Sequence, residues 1–270
     1  MHLADDHAPG TIATIRSQLK AFHDDLGLDT SIFNSTRLKR VCRGITKVHA
    51  NRKLPPRKQV TFDILESLMP YCNKESLEEM SIRTALCVAF HAFLRAQDFT
   101  YEKWGPSNHF TNFTRSSVKF HSTGASLFLP RSKTDQLGRG TVINLPITNK
   151  ASCPVNNLRR LFTKYPAPDE APLFGRIQFN SKLMNPLTFS RNFVGRRLHE
   201  LLLSAGINPI GFTLHSLRRG ATQTAANIGL KYNQIQKLGR WTSPAVLKYL
   251  KPATALALTP KKQDPRFPRR

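Results

Sequence analysis

The sequence predicts a mainly α-helical chain with a small antiparallel β-sheet, an α+β fold. Helical periodicity dominates both ends of the 270 residues, and three short strand-like runs lie together between them. Residues 85–94 are apolar except for His91, which predicts a helix buried in a core. Hydrophobic residues make up 40% of the chain, which is enough for one substantial core.

The first 51 residues predict a small helical module. Apolar residues recur at helical spacing over residues 11–27, and Gly27 is expected to end that helix. A second helix is predicted over residues 35–49, with an apolar stripe opposite a cationic one formed by Lys39, Arg40, Arg43 and Lys47. The cationic stripe predicts contact with phosphate, and a plain solvated surface is the alternative.

The remaining chain divides into a linker, a larger domain and a tail. Residues 52–59 predict a stiff basic linker, because two consecutive prolines favour extended backbone. The larger domain is predicted over residues 60–251. We expect the basic tail, residues 252–270, to be disordered apart from one short helix over residues 253–258.

The elements of the larger domain follow in order. Helices are predicted over residues 62–69 and 74–94, and strands over residues 117–121, 126–129 and 141–145. The loop that joins the last two strands spans residues 131–140. Helical patterns then return over residues 155–162, 188–204, 216–228, 232–238 and 245–250.

The composition narrows the class of partner. Lys and Arg number 41 against 17 Asp and Glu, and a net charge of +24 on a foldable chain predicts nucleic acid. Four widely spaced cysteines predict a reduced, intracellular protein without a zinc knuckle. No membrane span, signal peptide or carboxylate cluster for magnesium is evident, so we expect no membrane contact, metal, cofactor or small-molecule substrate.

One motif carries the strongest chemical signal. If Thr213 caps a helix, His215 and Arg218 of the segment HSLRRG lie three residues apart on one face. A histidine beside a guanidinium suits the binding of a phosphate, because both donate hydrogen bonds to its oxygens. The segment LGRW follows at residues 238–241, and Tyr249 comes nine residues after its arginine.

These segments resemble the C-terminal half of the tyrosine recombinase (phage integrase) family. Arg95 stands just after the buried helix, where that family has its first catalytic arginine. Lys133, within RSKTD, stands in the hairpin that carries the family's catalytic lysine. The resemblance covers residues 62–250. The segments RSKTD, HSLRRG and GRW are most similar to those of recombinases of eukaryotic mobile elements of the Crypton and DIRS-like kinds.

The resemblance implies a metal-independent enzyme that cleaves and rejoins DNA strands at specific sites. Tyr249 would attack a phosphorus to form a 3′-phosphotyrosine, while Arg95 and Arg218 hold the non-bridging oxygens. His215 would donate to the same phosphate or accept the tyrosine proton, and Lys133 would protonate the departing 5′-oxygen.

Two departures from the family pattern matter. The family often has His or Trp nine residues before the tyrosine, where this chain has Arg240, and Trp241 follows one position later. Either is a candidate phosphate contact, with Trp241 favoured because GRW recurs in the eukaryotic element group. The N-terminal module is also shorter than the family's core-binding (SAM-like) domain and is therefore expected to be truncated.

The predicted helix over residues 188–204 offers further cations. Arg191, Arg196 and Arg197 would track DNA phosphates or bases, and a plain cationic face is the alternative.

The resemblance also implies partners and a role. We expect double-stranded DNA as the partner and a homotetramer on two DNA sites, with the segment after Tyr249 docked on a neighbouring subunit. Integration or excision of a mobile element is the expected role, in the nucleus if the host is eukaryotic. Two alternatives remain: a catalytically silent DNA-binding protein derived from such a recombinase, and a type IB topoisomerase-like enzyme.

Overall fold

The computed structural model describes residues 7–50, 55–72, 75–132, 135, 137–180, 183–187 and 189–258. The chain forms two compact units, Met1–Pro56 and Arg57–Arg270. The predicted fold class is confirmed, because helices dominate and three strands form a small antiparallel sheet.

The first unit is a pair of helices. Helix α1 spans Pro9–Asp25 and helix α2 spans Thr36–Ala50, with a 3-10 turn at Ser31–Asn34 between them. Gly27 adopts φ 67° just beyond α1, so its lack of a Cβ permits the turn that ends the helix. The predicted apolar stripe of α2 is only partly covered, since Val41 is 52% and Val48 71% exposed.

Helix α4 forms the centre of the second unit. Helix α3 spans Phe62–Leu68, α4 spans Leu77–His91 and α5 spans Ala96–Phe99. Every residue of α4 from Met80 to Phe90 is buried, which includes the helical part of the apolar run predicted to be buried and also the polar residues Ser81, Arg83 and Thr84. The predicted helix over residues 74–94 was too long at both ends, and at the C-terminal end the reason is that Phe93 turns the chain out of the helix with φ 51°.

The three-stranded sheet agrees with the sequence prediction. Strands β1 (Val118–His121), β2 (Gly124–Leu129) and β3 (Thr141–Pro146) pair antiparallel in the order β1-β2-β3. Alternate residues of β2 and β3 face the core, as the burial of Leu127, Leu129 and Leu145 demonstrates. Helix α6, which spans Pro154–Lys164, follows β3 and packs against α4.

A second sheet was missed by the sequence analysis. Strands β4 (Arg176–Asn180) and β5 (Leu183–Leu187) form an antiparallel hairpin. Strand β5 contains Pro186, and a proline argues against strand structure because it lacks a backbone N–H donor. A two-stranded hairpin has two edges, so proline is tolerated there.

The last four helices surround the candidate site. Helix α7 spans Arg191–Ser204, α8 spans His215–Asn227, α9 spans Tyr232–Leu238 and α10 spans Pro252–Leu258. A 3-10 helix, Pro244–Tyr249, replaces the α-helix predicted over residues 245–250, and Leu250 lies just beyond its end. The expected tail beyond residue 258 lies outside the described residues.

The predicted starts of the two helices nearest the candidate site, α7 and α8, were wrong by three residues and by one residue. Helix α7 begins at Arg191 because the Ser190 hydroxyl accepts a hydrogen bond from Phe193 N. Helix α8 has Leu214, not Thr213, at its N-cap position. Ser216 Oγ instead accepts a hydrogen bond from Thr213 N at 3.0 Å, so the hydroxyl within the motif holds the turn.

A close backbone approach fixes α8 against the chain that enters the second unit. Val60 N donates to Ser216 O at 3.0 Å. A Cβ on Gly220 would lie 1.5 Å from Val60 O, so only glycine allows this contact. The entering chain is therefore held along the helix that carries His215 and Arg218.

Candidate active site

The hydroxyl of Tyr249 lies against an imidazole. Tyr249 Oη and His215 Nε2 are 2.8 Å apart, and the two ring centroids are separated by 5.1 Å. His215 begins α8, whereas Tyr249 ends the 3-10 helix that follows α9. Gln59 Nε2 donates to the backbone oxygen of Tyr249 at 3.1 Å and thereby holds the segment that presents the phenol.

The guanidinium of Arg218 lies close to the Tyr249 ring. Arg218 is fully buried, with its Cζ 5.8 Å from the centroid of the Tyr249 ring. Its Nη1 donates to Phe93 O and its Nη2 donates to Gly239 O. An arginine has five N–H donors, so Nε–H and one N–H on each terminal nitrogen remain for another acceptor.

Trp241 covers the other side of this guanidinium. The Arg218 Cζ lies 4.2 Å from the centroid of the Trp241 ring, and the Trp241 and Tyr249 rings are 5.1 Å apart. A Cβ on Gly239 would lie 1.6 Å from the Trp241 ring. The glycine of LGRW is therefore needed for space, because the indole lies directly against its Cα.

Arg240 and Phe93 share an uncommon backbone conformation. They are the two non-glycine residues of the described chain with positive φ, at 56° and 51°. Each follows the end of a helix, Phe93 after α4 and Arg240 after α9, at the position that usually holds glycine. The same backbone hydrogen bond closes each turn. Leu94 N donates to Ala89 O at the end of α4, and Trp241 N donates to Gln236 O at the end of α9.

Arg95 leaves the same turn two residues after Phe93. Its backbone N donates to Asp98 Oδ2 at 2.8 Å, which starts helix α5. Its Nη1 is buried without a hydrogen-bond partner. Burial raises the pKa of Asp98, and the nearby charges of Arg95, Arg240 and Arg218 oppose that rise.

Burial and crowded positive charge govern the electrostatics of the site. Burial, followed by the charges of Arg218 and Arg219, lowers the pKa of His215 to about 4, so its imidazole is neutral at pH 7. Burial, followed by the charges of Arg95 and Arg240, lowers the pKa of Arg218 to about 9. Protonated arginines crowded in this way favour an anion beside them.

The structure therefore brings together six of the seven predicted catalytic residues. These are Arg95, His215, Arg218, Arg240, Trp241 and Tyr249. Lys133 lies outside the described residues. On the described part of its loop, the Asp135 carboxylate accepts hydrogen bonds from Arg139 N at 3.1 Å and Gly140 N at 2.8 Å.

Sequence reasoning missed three parts of this site. Asp98 stands three residues after Arg95, and that spacing is the signal of a side chain that binds the start of a helix. The carbonyl groups of Phe93 and Gly239 bind Arg218, but carbonyl groups are present in every residue, so no residue type marks them. The positive φ of Phe93 likewise has no sequence signal.

A cleft adjoins the site along α7. It measures about 860 Å³, and its cationic and imidazole side chains come from Arg57, Arg191, Arg196, His199, His215 and Arg219. Arg191 and Arg196 are exposed, as a nucleic-acid contact requires. Arg196 also forms an ion pair with Glu200 at 3.7 Å, whereas the half-buried Arg197 forms ion pairs with both Glu79 and Glu200, so more of its charge is used within the protein.

The remaining predicted cations lie in the first unit. Lys39, Arg40, Arg43 and Lys47 are all exposed on α2. Across the described ranges, no group of three or more His, Cys, Asp or Glu residues could hold a metal ion. None of the helices in those ranges is both long and apolar enough to cross a membrane.

Comparison with known proteins gives a fold match. No description of a protein family matches the chain, and no curated protein matches it significantly. The structure of the XerA recombinase is similar, with a TM-score of 0.51 and 13% identity over 94% of this chain and 84% of that one. At that identity the likeness establishes a shared fold.

A second similar structure is the XerH site-specific recombinase bound to palindromic difH substrate in a post-cleavage complex. Its TM-score is 0.51 and its identity 13%, over 73% of this chain and 50% of that one. The chain thus spans about half the length of the XerH chain that it matches. Its fold is that of the tyrosine recombinase catalytic domain.

Proposed function

We propose that this protein is a site-specific DNA recombinase of the tyrosine recombinase family. The observation that supports the proposal best is the contact between the Tyr249 hydroxyl and neutral His215, close to the buried guanidinium of Arg218. A phenol beside a proton acceptor and fixed cations has the parts needed to attack a phosphodiester.

In the first step, Tyr249 Oη forms a bond to a backbone phosphorus and the bond from phosphorus to the 5′-oxygen breaks. His215 Nε2 accepts the phenol proton, since it already lies 2.8 Å from the hydroxyl. A bound phosphate raises the pKa of His215 by its negative charge, which makes the imidazole a better acceptor. Lys133 protonates the 5′-oxygen, and a 5′-hydroxyl from another strand later reverses the step.

Buried donors of the arginines support a phosphate ligand. Arg95 Nη1, Arg218 Nε and Arg219 Nε are each buried without a hydrogen-bond partner. Because leaving buried donors unpaired costs free energy, their occurrence in one cluster favours an anionic acceptor that supplies the missing oxygens. Arg95 and Arg218 would hold the two non-bridging oxygens and offset the charge of the transition state.

The burial of Arg218 means that part of the site has to move before a phosphate binds there. Arg218 is fully buried close to Trp241 and Tyr249, so a phosphate reaches its remaining donors only after the Tyr249 segment moves. That segment is a short 3-10 helix with one side-chain cap, in which Ala245 N donates to Ser243 Oγ at 3.4 Å. DNA binding is therefore expected to displace it.

The DNA interface would combine both units. Residues 1–51 would form a core-binding module that contacts phosphates through Lys39, Arg40, Arg43 and Lys47, joined by the linker at residues 52–59. In the domain of residues 60–251, α7 would present Arg191 and Arg196 to DNA beside the cleft. Arginine and lysine at such positions bind the backbone without regard to sequence.

The assembly would be a tetramer on two DNA sites, acting in integration or excision of a eukaryotic mobile element. The segments RSKTD, HSLRRG and GRW support that origin. Within one chain, Gln223 binds α10 by donating to Thr254 Oγ1 at 3.1 Å and accepting from Lys251 N at 2.8 Å. In the tetramer, α10 would make such contacts with a neighbouring subunit.

Covalent trapping tests the proposal. The full chain is incubated with nicked duplexes built from the DNA that flanks its coding sequence, and covalent protein–DNA is measured on denaturing gels. We expect trapping by the wild type and by Tyr71→Phe, which alters an exposed tyrosine, and none by Tyr249→Phe. Equal trapping by Tyr249→Phe would refute the proposal.

A catalytically silent DNA-binding protein derived from a recombinase is the second candidate. The complete burial of Arg218 favours it, because no phosphate reaches that guanidinium without a rearrangement. Specific DNA binding without covalent trapping on any flanking duplex would support this candidate. A type IB topoisomerase-like enzyme would be trapped as well, but it would relax supercoiled plasmids without site preference.

A further inference from the structure

Arg240 stands where the resemblance suggests a phosphate contact, yet its side chain points to the end of another helix. Its Nη1 donates to Ala92 O at 3.0 Å and to Leu238 O at 3.3 Å, and its Nη2 donates to Phe93 O at 3.2 Å. One guanidinium therefore binds the carbonyl group of the last residue of α9, Leu238, and those of the two residues just after α4, Ala92 and Phe93.

The acceptors are the kind that a cation favours. The carbonyl groups at the C-terminal end of a helix lack partners within the helix and carry partial negative charge. Arg240 and Arg218 share Phe93 O, and Arg218 also binds Gly239 O. The two arginines thus join the same two helix ends by separate hydrogen bonds.

The surroundings of the two arginines differ on the side of the nucleophile. The Arg218 guanidinium lies 5.8 Å from the Tyr249 ring centroid and 4.2 Å from that of Trp241. Arg240 instead binds Ala92 O and Phe93 O, on the turn that leads from α4 to Arg95. Arg240 is therefore placed toward the segment that carries Arg95, and Arg218 toward the phenol.

We infer that Arg240 is a positioning residue for cleavage: it joins the ends of α4 and α9 and so fixes Arg95 relative to Arg218 and Tyr249. The inference rests on the proposed function and deepens it. It assigns Trp241, not Arg240, to the surface of the site beside the phosphate. It also explains why an arginine occupies a left-handed position that glycine usually fills, since glycine has no side chain to reach α4.

The test compares two scissile groups, the ordinary phosphate and a methylphosphonate, in which a methyl group replaces one charged oxygen. A guanidinium that neutralises the phosphate becomes less necessary on the neutral substrate, whereas one that positions other residues stays necessary. Single-turnover cleavage is measured at saturating DNA for the full chain and for Arg240→Gly, Arg240→Lys, Arg95→Ala and Arg160→Ala. Arg160 is an exposed arginine of α6 and serves as the control for loss of one charge.

We expect Arg240→Gly to bind DNA within about twofold of the wild type and to cleave it about 10- to 100-fold more slowly, as for a misplacement of about 1 Å. The same deficit should persist on the methylphosphonate, whereas that of Arg95→Ala should shrink. Arg240→Lys should be slow on both substrates, because an ammonium cannot hold three carbonyl groups in the planar geometry of arginine. Arg160→Ala should match the wild type.

Two results would overturn the inference. Recovery of Arg240→Gly or Arg240→Lys on the methylphosphonate would make Arg240 a phosphate ligand, and wild-type rates on the ordinary phosphate would make it dispensable. Thermal unfolding verifies that each variant folds, and Arg240→Lys alone decides the question if Arg240→Gly does not fold. Absence of cleavage by the wild type would instead count against the proposed function.

Discussion

Five helices of this protein end in the same turn, but the residue at its left-handed position differs between the candidate site and the remainder of the chain. Helices α1, α7 and α8 have glycine there, Gly27, Gly206 and Gly229, with φ between 67° and 86°. Helices α4 and α9, which meet at the site, have Phe93 and Arg240. The backbone hydrogen bonds that close these turns follow one pattern.

This difference shows that strained backbone, a non-glycine residue at positive φ, occurs at the candidate site. A side chain at positive φ costs about 1–2 kcal/mol relative to the right-handed conformation, and glycine avoids that cost. Away from the site, no neighbouring group requires a side chain, since a Cβ on Gly206 or Gly229 would meet nothing within 4 Å. At the site, Phe93 is buried and Arg240 binds carbonyl groups, so packing and hydrogen bonds offset the strain.

The largest effect is expected at Arg218, whose guanidinium links the ends of α4 and α9. Arg218→Lys should lower the single-turnover cleavage rate about 10²- to 10³-fold, because one ammonium cannot bind Phe93 O, Gly239 O and a phosphate together. Arg219→Lys, which alters a half-buried neighbour, should lower it less than tenfold. Equal losses in the two variants would contradict the special role of the helix ends.

A smaller effect is expected at the ends of α7 and α8, where glycine occupies the left-handed position. Gly206→Ala and Gly229→Ala should each lower the free energy of unfolding by about 1 kcal/mol, because a Cβ destabilises the left-handed conformation. Urea unfolding measures the loss, and the cleavage rate should remain that of the wild type. Unchanged stability would mean that the left-handed position is not strained, which would remove the distinction between the two groups of ends.

An effect of similar size, present only at acid pH, contrasts the two ends of α8, which begins at His215 in the site and is followed by Gly229 away from it. The pKa of His215 falls from 6.5 to about 4 on folding, so the unfolded chain binds the extra proton between these values. The free energy of unfolding is therefore fully retained above about pH 6.5 and declines as the pH falls toward 4.

Between pH 7 and pH 5, the wild type should lose about 1 kcal/mol more stability than His215→Gln, a modest amount because solvent screens the half-buried imidazole. Urea unfolding of both proteins at the two pH values gives the comparison, with Gly229→Ala as the control that should follow the wild type. If the wild type loses no more stability than His215→Gln between these pH values, a group other than His215 binds the proton that is taken up on unfolding.

The sequence predicted most of the second unit for reasons that are local. Helix α9 has its predicted bounds, and β3 is one residue longer than predicted, because their apolar periodicity and the adjacent glycines mark their ends. Hairpin β4–β5 was missed because Pro186 is a poor strand residue, and its pairing with Ile177 depends on a neighbouring strand. Local preference does not reveal such a pairing.

The candidate site divides in the same way. His215 and Arg218 follow from residue type and spacing, since both side chains can hold a phosphate, whereas Trp241 and Tyr249 were predicted from the resemblance of their segments to the recombinase family. The role of Arg240 does not follow from the sequence. Its position nine residues before Tyr249 suggested a phosphate contact, whereas its side chain binds the carbonyl groups of Ala92 and Phe93. Those acceptors are 147 or more residues away in the chain.

The amino-acid sequence by itself determined the helical and strand pattern, the excess of positive charge and the residues able to attack or hold a phosphate, because each of these resides in side chains and their spacing. The tertiary structure decided which carbonyl groups bind the arginines, which residues adopt positive φ and how deeply the cations are buried. Backbone groups are the same in every residue, so only the folded chain gives them individual roles.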